Sequence, residues 1–225
     1  TPKVIEETLA ELSPIEGIVG ENVRDEYGKH YRKLTAGLKP AAEPPKIEAS
    51  FEPPQTGRRE AILLGSAGQR IITAGEILCL AGLTAGLNTT QKNEYNITVL
   101  RGPSISELIL SPGDIDYTGI ENPSVIAALD QEGVDRRRGM FEHLTSDTLI
   151  LQAAGVEVPA GSARIHQMNL KALGIKKLDW ALASLGVMAG LGRIISPEML
   201  EAALRIRFKD KTLETALELI KQVGS

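Results

Sequence analysis

The chain has 225 residues, 42% hydrophobic and 24% charged, an ordinary globular balance that allows one full domain plus an appendage but is short for two. A formal net charge of -4 argues against a nucleic-acid partner, and aromatic residues at only 4% require an aliphatic, alanine-rich core. The single cysteine, Cys79, can neither close an internal disulfide nor ligate an iron–sulfur cluster, which takes about four cysteines.

Residues 1–36 read as a helical N-terminal arm. In its first helix Thr1 caps, Pro2 occupies the first turn, and Val4, Ile5, Thr8, Leu9 and Leu12 share a face until Ser13-Pro14 stops it. The second runs from about Asn22 to Leu34, with Val23, Tyr27, Tyr31 and Leu34 on one stripe. Two short helices cannot bury a core of their own, so they must pack on the main domain or on another chain, with Tyr27, Tyr31 and Leu34 as the expected anchors. This start is charged and amphipathic, unlike a signal peptide, and no apolar run approaches the roughly 20 residues that cross a bilayer. With the lone cysteine, these features point to the cytoplasm and to no membrane partner. Residues 37–57 form a Pro-rich linker, held extended by Pro40, Pro44, Pro45, Pro53 and Pro54, that either crosses a surface or serves as a tether.

Residues 58–225 read as an α/β domain. Ala61-Ile62-Leu63-Leu64 predicts a strand buried on both faces, Gly65-Ser66-Ala67-Gly68-Gln69 a turn, and Ile71 to Leu83 a helix that places Cys79 as a small buried apolar residue. Strands are expected at 97–100 and 107–110, and a helix over 122–131 with Asn122 as cap and Pro123 at its first position. Further strands are expected at 148–152 and 164–166. A helix from Asp179 to Ala189, apolar nearly all round, should be buried in the core or under a partner. Ser196-Pro197-Glu198 opens a helix to about Phe208, and Asp210 caps a last one over 211–223. The alternation predicts a mostly parallel sheet flanked by helices, preceded by the helical arm and the Pro-rich linker.

Two loops carry the candidate chemistry. A strand that ends in Gly65-x-x-Gly68 and opens a helix presents backbone N–H groups at a positive helix end, which suits an anion; the plainer reading is a tight turn that only glycine fits. The turn is neither a P-loop nor a dinucleotide fingerprint. Arg101-Gly102-Pro103-Ser104-Ile105-Ser106-Glu107 joins a cation, a flexible turn and two hydroxyls, suited to a phosphate or a partner's carboxylate, or to an ordinary surface turn. Gly65, Gly68, Gln69, Arg101, Gly102 and Ser104 are therefore the candidate cofactor-binding residues. No catalytic or metal-ligating residue is assigned: His30, His143 and His166 lack ligand spacing, Asp114 and Asp116 read as turn chemistry, and Asp135-Arg136-Arg137-Arg138 reads as a solvated face or a docking patch.

The order of these pieces carries a resemblance. Leu64-Gly65-Ser66-Ala67-Gly68-Gln69-Arg70, then Thr73-Ala74-Gly75-Glu76-Ile77-Leu78, then Glu94-Tyr95, then Val99-Leu100-Arg101-Gly102-Pro103 running into Leu108-Ile109-Leu110, and finally Ser-Pro-Glu-Met-Leu-Glu-Ala-Ala over 196–203 follow one family's pattern. From Ala61 to about Leu217 the chain resembles the gamma subunit or domain of the 2-oxoacid:ferredoxin oxidoreductases. It departs from that pattern at Ala67, Arg70 and Pro103, where the family commonly has glycine. The resemblance implies a supporting subunit, inactive alone, in a complex that decarboxylates a 2-oxoacid oxidatively. Thiamine diphosphate with Mg2+, iron–sulfur clusters and coenzyme A are expected in the complex and none on this chain alone, which has no Gly-Asp-Gly thiamine motif. Thiamine-binding and iron–sulfur subunits would be direct partners, and ferredoxin or a similar acceptor an indirect one. The alternative is a free-standing nucleotide-binding module that uses the Gly65–Gly68 turn.

Overall fold

The structure, a computed structural model, describes residues 23–36, 46–95 and 101–224. The expected first helix and the strand expected at 97–100 lie outside them. Two compact units, Thr1–Pro45 and Lys46–Ser225, divide the chain. In the first, helix α1 (Val23–Thr35) forms where the apolar stripe predicts it. Tyr31 is exposed on it, and the side chains of Tyr27 and Leu34 lie outside the described ones. Residues 46–57 belong to the second unit: the Ser50 and Phe51 amides both donate to the Thr84 carbonyl, at 2.7 and 3.2 Å, and Phe51 packs on the core.

The second unit is a six-stranded sheet in the order β2-β3-β1-β4-β5-β6. Strands β1 (Arg59–Ser66), β4 (Val125–Ala128), β5 (Leu149–Ala153) and β6 (Arg164–Met168) run parallel, and the antiparallel pair β2 (Asn88–Tyr95) and β3 (Pro103–Ser111) extends the sheet from β1. Helix α2 (Ile71–Thr84) lies on the β2–β3 pair, and Gly75 and Gly82 let it approach: a Cβ on Gly82 would stand 2.8 Å from both Leu110 and Thr89 side chains. Helices α4 (Trp180–Gly190), α5 (Pro197–Arg207) and α6 (Asp210–Val223) pack together, with α5 also against α2. Helix α4 is buried nearly all round, as its uniform apolarity predicts. The core is aliphatic, with Ile62, Leu63, Leu64, Leu78, Leu108 and Ile126 fully buried and each contributing about 1.5–3 kcal/mol by transfer from water.

Two expectations are corrected, at 122–131 and at the last helix, and one strand lies where none was expected. Residues 122–131 do not form one helix. Val125–Ala128 are all buried as β4, between β1 and β5, and Ser124 donates to the Glu60 carbonyl at 2.8 Å where β4 joins β1. Asn122-Pro123 resembles a cap but precedes a strand, and the apolar run behind it is stabilised more by two-faced burial than by helical hydrogen bonds. The helix comes later, as α3 (Gln131–Arg136), capped by Asp130, which accepts from the Glu132 amide at 3.1 Å. Strand β2 has no clear sequence signature because Asn88–Tyr95 is a polar edge strand with no buried residue. At the last helix the cap is Lys209, and Asp210 is the first helical residue, at φ 47.

Candidate functional site

Strand β1 is buried from Glu60 to Gly65 and ends at Ser66, so its carboxyl end delivers the turn directly to the edge of the sheet. Gly65 is required by space: a Cβ would stand 2.7 Å from Ile71 Cγ1 and Gln69 Oε1. Gly68 is required by conformation, at φ +89 with open space around it. The Gln69 side chain is buried and braces the turn, its Oε1 accepting from the Ser66 amide at 2.7 Å and its Nε2 donating to the Leu129 carbonyl at 3.4 Å. Arg70 follows in the left-handed region, φ 57, as the N-cap of α2, with no side chain capping that helix end.

The second loop meets the first. Gly102, at φ +93, accepts from the Ala67 amide at 2.9 Å through its carbonyl. Pro103 opens β3 opposite Ser66, and Ser104 is buried in register with both Gly65 and Tyr95. The six candidate residues thus belong to two joined turns: Gln69 and Ser104 are internal braces, Gly65 and Gly102 shape the backbone, and Gly68 and Arg101 are exposed.

A third component was not apparent in the sequence. Asp130, at the end of β4, accepts from the Ser66 hydroxyl at 3.1 Å and pairs with Lys177 at 2.5 Å. Burial alone would raise its pKa. The Lys177 hydrogen bond, the Glu132 amide, the Lys177 charge and the Ser66 hydroxyl together outweigh burial and hold the carboxyl below its ordinary value. Beside it, Arg70 pairs with Asp179 at 3.1 Å. A cavity of about 480 Å³ opens here beyond β4 and β5, lined by Asp130, Gln131, Gly155, Lys171, Lys177 and Trp180. The carboxyl ends of parallel strands are the usual place for a ligand in such sheets. Lys171 and Lys177 are the cations that line it, Lys177 already paired with Asp130.

In the run Asp135–Arg138 three residues, Asp135, Arg136 and Arg138, are exposed as a solvated face would be, while Arg137 is partly buried and ion-paired. Arg137 donates to Glu94 at 2.8 Å and to Glu107 at 3.0 Å, Arg136 pairs with Glu94, and Lys92 reaches Glu107 at 3.4 Å. This network ties α3 to the β2–β3 pair; the Arg136 hydrogen bond is the largest influence that lowers the Glu94 pKa. Cys79 is half-buried, and burial pushes its thiol up to about 11, an unreactive state. Among the described residues no three His, Cys, Asp or Glu side chains form a metal cluster, and no helix is long and apolar enough to cross a membrane.

Residues 60–223 match the family described as pyruvate ferredoxin/flavodoxin oxidoreductase. The 2-oxoglutarate synthase subunit KorC of Methanocaldococcus jannaschii is 28% identical over 153 residues, which is 65% of this chain and 82% of that protein. The gamma subunit of a keto/oxoacid ferredoxin oxidoreductase from Geobacter sulfurreducens shares the fold, with a TM-score of 0.60 at 23% identity, over 75% of this chain and 95% of that one. So does the 2-oxoglutarate:ferredoxin oxidoreductase of Magnetococcus marinus, solved with 2-oxoglutarate, coenzyme A and succinyl-CoA bound. Its TM-score is 0.63 at 16% identity, over 76% of this chain and 31% of that one.

Proposed function

The chain belongs to the pyruvate ferredoxin/flavodoxin oxidoreductase family, and from that premise we propose that it is the supporting gamma subunit of a 2-oxoacid:ferredoxin oxidoreductase complex. The observation that carries this reading is the extent of the match, which takes in the whole sheet and every helix packed on it. A free-standing nucleotide-binding module is not favoured, because the match covers the entire α/β fold and not the turn alone.

In the complex, thiamine diphosphate with Mg2+ and the iron–sulfur clusters would reside on the partner subunits, and the chain would work in the cytoplasm. Coenzyme A, when bound, supplies the thiol that accepts the acyl group. On this chain the residues suited to its phosphates are the exposed Gly68 and Arg101, while Gly65, Gln69, Gly102 and Ser104 hold the two turns in shape. The support for this role is the donor chemistry at the carboxyl edge of the sheet.

The test is purification of the tagged full chain from its own cells under anaerobic conditions. The expected result is stoichiometric recovery of larger partners together with thiamine diphosphate and iron. Recovery of a monomer that binds nucleotide would refute the assignment. 2-Oxoglutarate, named for the archaeal relative, is the first substrate to supply to the recovered complex.

A further inference from the structure

A second cavity, of about 350 Å³, lies at the opposite edge of the parallel strands, where β1, β4 and β5 begin. Arg59, Ser124 and Thr148, which stand at the start of those strands, line it together with Arg193 from the connection between α4 and α5. Arg58 also lines it, but its guanidinium is spent on Glu60 and on the carbonyls of Tyr117 and Gly119. Arg59 is only partly satisfied. Its Nη2 donates to the Thr56 carbonyl at 2.7 Å, while its Nε is buried with no hydrogen-bond partner. That Nε is shut off from solvent, so Arg59 can meet a ligand in the cavity only through the outer N–H groups of its guanidinium.

Arg193 is held in place by an unusual backbone. The Ile195 amide donates to the Arg193 carbonyl at 2.6 Å across Ile194, which is buried at φ 62. This is a γ-turn of the rare positive-φ kind, centred on a β-branched residue that strongly disfavours that region. Such strain persists only where packing enforces it, and it concentrates at binding sites. Among the described residues no carboxylate lies within ion-pair distance of Arg59 or Arg193; Glu121 and Asp147 also line the cavity but are exposed.

We infer that this cavity binds a small oxyanion, a carboxylate or phosphate group held by the guanidiniums of Arg59 and Arg193. A planar guanidinium matches such groups with paired hydrogen bonds, and the volume falls within the range of small-molecule pockets. The site is separate from the carboxyl-edge turns and does not depend on the chain's place in a complex.

Calorimetric titration of the full chain with inorganic phosphate, and separately with malonate, at constant ionic strength set by chloride, tests this. Saturable one-site binding of at least one anion is expected. Arg193→Met and Arg59→Met should each weaken it about tenfold or more, and Arg193→Lys should keep part of it. Should Arg59→Met fail to fold by circular dichroism, the two Arg193 variants carry the comparison. No saturable binding of either anion would overturn the inference, as would binding unchanged in Arg193→Met. Loss of complex assembly in Arg193→Met without anion binding to the wild-type chain would also overturn it, because the carboxylate would then come from a neighbouring subunit.

Discussion

The Ala67 amide donates to the Gly102 carbonyl at 2.9 Å, so the turn after β1 and the turn before β3 are one structural unit. Gly68 and Gly102 both hold positive φ, at +89 and +93. A Cβ on Gly68 meets nothing within 4 Å, so Gly68→Ala isolates backbone conformation from crowding. It should destabilise the chain by about 1 kcal/mol or somewhat more, seen as a lowered midpoint in urea with an unchanged slope. Unchanged stability would show that the positive φ is not required.

Gly133 packs on the same turn from the other side. A Cβ there would stand 2.6 Å from the Gly65 amide nitrogen and 2.7 Å from the Leu64 carbonyl carbon, both backbone atoms that cannot rotate away. Gly133→Ala should therefore cost about 1–3 kcal/mol by overpacking, more than Gly68→Ala, despite alanine's better helix propensity. Thermal unfolding of the two variants side by side checks the order.

The Asp130–Lys177 pair sets a pH dependence. The Asp130 pKa is lowered in the folded chain, so the stabilisation is present above the ordinary aspartate value of about 3.9 and is lost as pH falls through the lower folded value. Asp130→Asn retains a capping oxygen but removes the charge. Its stability should fall less steeply than the wild type's as the pH drops below about 4, and the gap between the two should narrow there. Urea midpoints measured from pH 7 down to pH 3 report this. Parallel curves would show that the carboxylate contributes nothing.

The division at Pro45 bears on the arm. Because residues 46–57 dock through Ser50 and Phe51 on Thr84, a chain beginning at Lys46 should keep the full α/β unit and unfold cooperatively. If the arm packs on a neighbouring subunit, this shortened chain should recover partner subunits several-fold less well, on the order of a lost apolar contact patch. Full recovery would make the arm a tether. Failure to fold would place it in the domain's own core.

Much of the fold was legible because burial on both faces leaves a continuous apolar run, as at Ala61–Leu64, and Ser196-Pro197 marks a helix start that α5 uses. The same logic missed Val125–Ala128, whose run follows Asn122-Pro123, a dipeptide that serves helix starts and strand entries alike. The glycine turns were visible as local chemistry. Asp130, Lys177, Arg70 and Asp179 were not, because residues distant in sequence meet only when β1 and β4 lie side by side and α4 follows. Arg137 read as solvent-facing until the β2–β3 pair placed Glu94 and Glu107 opposite it, whereas Arg136 pairs with Glu94 and stays exposed.

The most direct test of the supporting-subunit claim is coenzyme A-dependent reduction of ferredoxin by a 2-oxoacid, measured on partner subunits reconstituted with and without this chain. The chain alone should show no turnover and hold no iron, since it has a single cysteine. Full activity should require all subunits together, with omission of this chain abolishing it. Partner subunits that turn over at full rate without the chain, or stoichiometric iron on the chain purified alone, would contradict the account.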